Sequence, residues 1–210
     1  MKILSHRGFW KSITMKNSYD AFVDSINNGW GFETDFRDFN GELVISHDIA
    51  TNKALKAEKV FELLGKNKDL YIAINIKSDG LKNLIVSEIN KYKIENYFLF
   101  DMSLPQNIEV IEAKLKYFCR QSEYEIEPLL YDDALGVWMD GFIDNKWITE
   151  DLILKHLNNN KMICFVSPEL HGREYKEFWE FLRKCNFPSN NIFLCTDIPD
   201  EAQKFFKEKE

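Results

Sequence analysis

Short apolar runs recur along the whole chain, and between most of them apolar residues fall three and four positions apart. The first run, 2–5, is short and reads as a buried strand. Asn17-Ser18 then offers a helix cap, Tyr19, Phe22, Val23 and Ile26 follow at helical spacing, and Gly29 is a natural stop. A second strand is predicted at 32–37. Asn40-Gly41 is a tight-turn signal, and 43–46 returns as an extended segment, completing a hairpin. After a loop, a helix is predicted near 57–64. Further strands are predicted at 70–77, 97–100, 117–121, 134–139, 162–166 and 192–195. Helices are predicted at 81–92, 107–114, 150–158, 175–185 and 202–207.

Setting the hairpin return aside, these are eight strands with helices between most of them, uninterrupted by a linker or low-complexity segment. That alternation predicts a single (β/α)8 TIM barrel over residues 1–210, with its site at the C-terminal strand ends. His6, Arg7, Glu33, Asp35, Asn75, Lys77, Arg120, Trp138, Glu169 and Asp197 all fall at or near those ends.

The 210 residues, 45% of them hydrophobic, suffice for one sizeable core. The formal net charge of −7 argues against a general nucleic-acid binder. It says nothing against a small anionic substrate, which responds to the local field. The four cysteines form no Cys-x-x-Cys pair, and three lie in predicted strands as small apolar residues, which fits a reducing compartment. Met1 runs almost directly into the first strand, leaving no room for a signal peptide, and no apolar run approaches ~18 residues. The expectation is a soluble, cytoplasmic protein without a transmembrane segment. No coiled-coil pattern points to an oligomeric state.

Three polar clusters crowd the first strands: Ser5-His6-Arg7-Gly8, Glu33-Thr34-Asp35 and Ser46-His47-Asp48. Glu33 and Asp35 stand two apart on a strand, so both face one side and can offer oxygens to a hard divalent cation. Two histidines can divide acid and base roles near neutral pH. Arg7 supplies a fork of donors that matches a phosphate. Together they suit cleavage of a phosphodiester. His156, beside Lys155 on a predicted helix, reads as a surface residue.

These clusters, with Asn75-Ile76-Lys77, make the chain resemble the glycerophosphodiester phosphodiesterase family. That family has a His-Arg-Gly ending its first strand, a Glu-x-Asp on its second, a His-Asp soon after, and usually a Glu-x-Lys on its third. The resemblance implies the same barrel and a metal-dependent hydrolysis of a small glycerophosphodiester to glycerol phosphate and an alcohol. It implies His6 and His47 as the acid–base pair, Arg7 and Lys77 on the phosphate, and Glu33, Asp35 and Asn75 around Mg²⁺ or Ca²⁺. Arg120, Glu123, Trp138 and Glu169 are the candidate substrate contacts on later loops. Glu169 opens a polar loop with His171 and Arg173.

Two departures matter. Met15-Lys16 stands where the family has Pro-Glu, and Asn75 stands where it has an acid. With Asn75, three outcomes are open. Substrate and water complete the metal shell; another acid such as Glu123, Asp140 or Glu169 does so; or the site is metal-poor and relies on Arg7 and Lys77. The absence of a large insertion after Asp48 implies a more open site. Three rivals remain: a lyase-type phospholipase that stops at a cyclic phosphate, a barrel that binds a phosphorylated ligand without turnover, and a polysaccharide- or nucleotide-linked substrate, which the open site would admit.

Overall fold

The computed structural model describes residues 1–185, 187 and 189–207. The fold is mixed α/β. Among the described residues there are ten strands: β1 (Lys2–His6), β2 (Gly31–Phe39), β3 (Glu42–Ile45), β4 (Leu55–Lys56), β5 (Ile72–Ile76), β6 (Tyr97–Phe100), β7 (Phe118–Gln121), β8 (Gly136–Met139), β9 (Met162–Val166) and β10 (Ile192–Thr196). The helices are α1 (Tyr19–Asn27), α2 (Ala57–Gly65), α3 (Lys82–Tyr92), α4 (Leu104–Glu112), α5 (Glu150–Asn158), α6 (Lys176–Cys185) and α7 (Pro199–Lys207). Among the described residues no helix is long and apolar enough to cross a membrane. The chain forms two compact units: Ser5–Tyr117, and Met1–Leu4 together with Phe118–Glu210.

In the Ser5–Tyr117 unit, β2 pairs antiparallel with β3 and parallel with β5, and β5 pairs parallel with β6. Its two faces carry different chemistry, as period-two alternation requires. Phe32 stacks on Phe22 of α1 at 4.6 Å, and Phe36 meets the edge of Phe61 of α2 at 5.5 Å. Those contacts hold one face against the helices and leave Glu33 and Asp35 on the other. The hairpin register sets Phe36 opposite Ile45, and the parallel register sets Asp35 level with Asn75. Ser18 caps α1 by accepting from the Ala21 amide. Ser103 caps α4 in the same way, with Pro105 in the first turn, so that helix begins three residues earlier than the apolar spacing alone predicts.

In the other unit, β7, β8, β9 and β10 run parallel in that order. Gly136 is required there: a Cβ would sit 2.5 Å from the Met162 carbonyl oxygen and 2.6 Å from the Phe118 ring. Trp179 of α6 is fully buried and donates its indole N–H to Ser167 Oγ.

His156 is not on the surface. It follows Ile153 by three residues and shares the buried face of α5. Its Nε2 is 2.8 Å from Gln121 Oε1, an acceptor, so Nε2 carries the proton and Nδ1 accepts from the Tyr131 hydroxyl at 2.9 Å. Burial, followed by the charge of Lys155, pushes its pKa down to about 4. Because the unfolded imidazole titrates near its ordinary value, this neutral histidine stabilises the fold above pH ~6.5, and that stability is lost as pH falls towards ~4. The expected loss is about 3 kcal/mol. Urea melts at both ends of that range, on the wild type and on His156→Gln, check it: the variant should show a shallower acid slope.

Candidate active site

The Ser5–Tyr117 unit gathers most of the predicted residues. β1 ends in a turn in which Arg7 and Gly8 both adopt positive φ, 58° and 85°. Gly8 is needed as much for space as for its backbone angle, since a Cβ would lie 2.7 Å from the Cβ of Ala21 on α1. The turn directs the Arg7 amide at Glu33 Oε2, 3.2 Å away, while the Arg7 guanidinium Nε lies 2.9 Å from Asp35 Oδ2. His6 Nε2 stands 3.8 Å from Glu33 Oε2. The Trp10 indole donates to the His6 carbonyl.

Glu33, Asp35 and Asn75 are all buried. Each contributes one buried oxygen without a hydrogen-bond partner: Glu33 Oε1, Asp35 Oδ1 and Asn75 Oδ1. Buried oxygens left in this state are costly, and three on neighbouring strands form an oxygen-rich set that a hard cation would satisfy. The donor set therefore fits Mg²⁺ or Ca²⁺, with one amide in place of a third carboxylate. Among the described residues no group of three or more His, Cys, Asp or Glu is arranged for a metal. Burial first, then the adjacent charge of Asp35, pushes the Glu33 carboxyl up to about 8.

Lys77 ends the row opened by Asn75. Its Nζ is 3.2 Å from Asp101 Oδ2 and 3.7 Å from Asp35 Oδ1. His47 enters through the β2–β3 hairpin, where the Ser46 amide donates to the Asp35 carbonyl. His47 Nδ1 is 2.8 Å from Asp48 Oδ1, and Arg37 donates to the His47 carbonyl. With Nδ1–H on the carboxylate, Nε2 carries the lone pair. The His47 hydrogen bond and charge hold the Asp48 carboxyl below its ordinary value, with smaller contributions from Arg7 and Arg37.

Two residues of this unit escaped the sequence reading. Asn17 is not a cap: its Nδ2 donates to Asp35 Oδ2 and its Oδ1 accepts from Thr34 Oγ1, both at 2.8 Å, with φ 59°. The sequence signal was the asparagine itself, a residue that tolerates positive φ. Asp101, one residue past β6, is the other.

The four candidate substrate contacts belong to the second unit. Arg120 is ion-paired with Glu125. Glu123 accepts the backbone amides of Phe142 and Ile143. Trp138 is buried in β8, level with Arg120 and Cys164 on either side. Glu169 is tied to Ser167, Thr196 and the Asp197 amide, and burial raises its pKa. Asp140 meets His171 Nε2 at 2.7 Å. Of the three acids named for completing a metal shell, each is thus engaged within its own unit. This unit also holds a cavity of about 470 Å³, walled in part by Arg173, Phe178 and Phe181, and lined by none of the candidate catalytic residues.

No family model matches the sequence, and no curated protein matches it. Solved structures do match in fold. A provisionally named glycerophosphodiester phosphodiesterase from Galdieria sulphuraria superposes with a TM-score of 0.78 at 18% identity, covering 98% of this chain and 97% of its own. A glycerophosphodiester phosphodiesterase from Parabacteroides distasonis gives 0.74 at 15% identity, covering 99% and 97%. An Oleispira antarctica phosphodiesterase, solved with its product sn-glycerol-3-phosphate, gives 0.74 at 9% identity with the same coverage.

Proposed function

We propose that this protein is a metal-dependent phosphodiesterase that hydrolyses a small glycerophosphodiester to glycerol phosphate, or another phosphomonoester, and an alcohol. One observation carries the reading. The three buried oxygens without partners belong to the same residues that the sequence nominates for a cation, beside Arg7, Lys77 and His6. The fold likeness to solved glycerophosphodiester phosphodiesterases supports it, as does the product bound to the Oleispira protein.

Glu33, Asp35 and Asn75 would hold Mg²⁺ or Ca²⁺, and such an ion supplies charge stabilisation to the non-bridging phosphate oxygens. Arg7 and Lys77 bind those oxygens from the side, Arg7 as a fork and Lys77 as a point charge. The oxygen of water forms its bond to phosphorus as the bond to the leaving alcohol breaks; where the substrate's own neighbouring hydroxyl attacks first, water then opens the cyclic phosphate to the monoester. His47, oriented by Asp48, takes the nucleophile's proton on Nε2, and His6 gives a proton to the leaving oxygen. Arg120, Glu123, Trp138 and Glu169 are proposed as contacts for the rest of the substrate. We also read the alternating strands and helices as one closed (β/α)8 barrel, and the cysteines, which form no Cys-x-x-Cys pair and lie mostly in strands, as the mark of a cytoplasmic protein.

Asn75→Asp is expected to tighten Mg²⁺ binding by roughly tenfold at alkaline pH, measured by calorimetry, because ligand charge sets affinity at oxygen sites. Unchanged affinity would remove Asn75 from the ligand set. Product analysis by phosphorus NMR tests the reaction itself. Hydrolysis predicts a phosphomonoester at the end of turnover, whereas an accumulating cyclic phosphate would make the enzyme a lyase.

A further inference from the structure

Lys77 stands beside a buried carboxylate oxygen that has no hydrogen bond, yet does not form one. Its Nζ is 3.7 Å from Asp35 Oδ1, beyond hydrogen-bond reach, and 3.2 Å from Asp101 Oδ2, to which it donates. The other oxygen of Asp35 accepts from Asn17 Nδ2 at 2.8 Å and has the Arg7 guanidinium 2.9 Å away as an ion pair. An ammonium with three donors next to a fully buried carboxylate would ordinarily close onto it. Its hydrogen bond goes to Asp101 instead.

The fold places Asp101 there deliberately in two ways. The β5–β6 register sets Asn75 level with Phe100, so Asp101 follows directly beyond the amide's own level. Asp101 also adopts φ 67°, a left-handed conformation that few residues other than glycine, asparagine and aspartate accept. The charge count agrees. Even with Glu33 and Asp35 both ionised, Arg7 and Lys77 balance them, which leaves no net attraction for a divalent ion. An acid at position 75 would tip that balance to negative, and Asp101 does the same from the next strand by neutralising Lys77.

We propose that Asp101 is a positioning residue that draws the Lys77 ammonium to itself and so keeps Asp35 Oδ1 open to a divalent cation; the inference rests on the cation site proposed above. In this chain the acid missing from β5 is thereby offset from the end of β6.

Asp101→Asn tests it, since asparagine keeps the shape and tolerates the backbone angle. In a crystal structure of the metal-free variant, Lys77 Nζ should move within hydrogen-bond distance of Asp35 Oδ1. By calorimetry, Mg²⁺ binding should weaken roughly tenfold, as expected when a ligand oxygen is taken by an internal cation. In a Lys77→Met background the same substitution should change the affinity by less than about threefold, because the coupling runs through Lys77. An ammonium that stays in place overturns the proposal, as does equal weakening in both backgrounds, which would make Asp101 a ligand. If the wild type takes up no Mg²⁺, the cation reading falls, and the crystal position of Lys77 alone decides whether Asp101 positions it.

Discussion

Glu33→Gln should give a protein that is more stable and inactive. Glu33 is buried beside Asp35, and its carboxyl is pushed up to about 8, first by burial and then by that neighbouring charge. In the unfolded chain the same group ionises near pH ~4.5, so the metal-free fold holds a proton there that the unfolded state has lost. The contribution to stability is fully present below pH ~4.5 and is lost as pH rises through ~8. An amide at this position has no charge to bury and can still accept from the Arg7 amide, which now donates to Glu33 Oε2. At pH ~8.5 without metal, Glu33→Gln is expected to gain at least ~2 kcal/mol, roughly 5 °C in Tm for a chain of this size.

The same substitution removes a cation ligand, so turnover should fall by about a thousandfold or more. A residue with a merely structural role would show the opposite sign in stability. Metal uptake by the wild type should carry the corresponding signature. The ion must displace the Glu33 proton, so affinity should improve about tenfold per pH unit up to ~8 and then level off. Thermal melts and calorimetry across that range read both effects. A Glu33→Gln protein that melts lower than the wild type, or metal affinity independent of pH, would contradict this picture of the centre.

The second large effect is expected from His6. His6→Ala should lower kcat by about a hundredfold to ten-thousandfold, the range for loss of one general acid or base. Binding of sn-glycerol-3-phosphate should change only a few-fold, since Arg7 and Lys77 carry the phosphate. His6 faces Glu33, whereas His47 faces Asp48, so the two imidazoles are held by different carboxyls. Steady-state kinetics on His6→Ala and His47→Ala, with product binding by calorimetry, makes the comparison. Wild-type turnover in His6→Ala would remove His6 from the chemistry and favour a protein that only binds its ligand.

Much of this site was legible because its residues are close in sequence or level on neighbouring strands. Period-two alternation gave Glu33 and Asp35 a shared face, and strand ends located Asn75 and Lys77. Asp101 was passed over because its partner Lys77 lies 24 positions away, and no local pattern couples them. The Asn17-Ser18 pair signals a cap, and Ser18 provides it, whereas Asn17 is recruited across the fold by Asp35 and Thr34, which no local pattern announces. His156 was misread through its neighbour Lys155, although its spacing from Ile153 assigned it to the buried face. The two-residue β4 is too short to leave a periodic trace, and its pairing with β3 decides it. The starts of α4 and α7 moved for a physical reason as well: Pro105 and Pro199 sit in first turns, where a missing amide costs nothing. The apolar spacing on which the prediction relied begins later.

The proposed reaction is cleavage of a phosphodiester by His6 and His47 beside a cation held by the Glu33, Asp35 and Asn75 oxygens. Its most direct test is the initial rate of glycerol phosphate release from a mixture of glycerophosphodiesters with Mg²⁺ at pH ~8, repeated after chelation and with Ca²⁺. Release is expected to stop on chelation and to resume when the ion is restored. Absence of release with either ion would contradict it, and release that continues undiminished in chelator would show that Arg7 and Lys77 neutralise the phosphate without a metal.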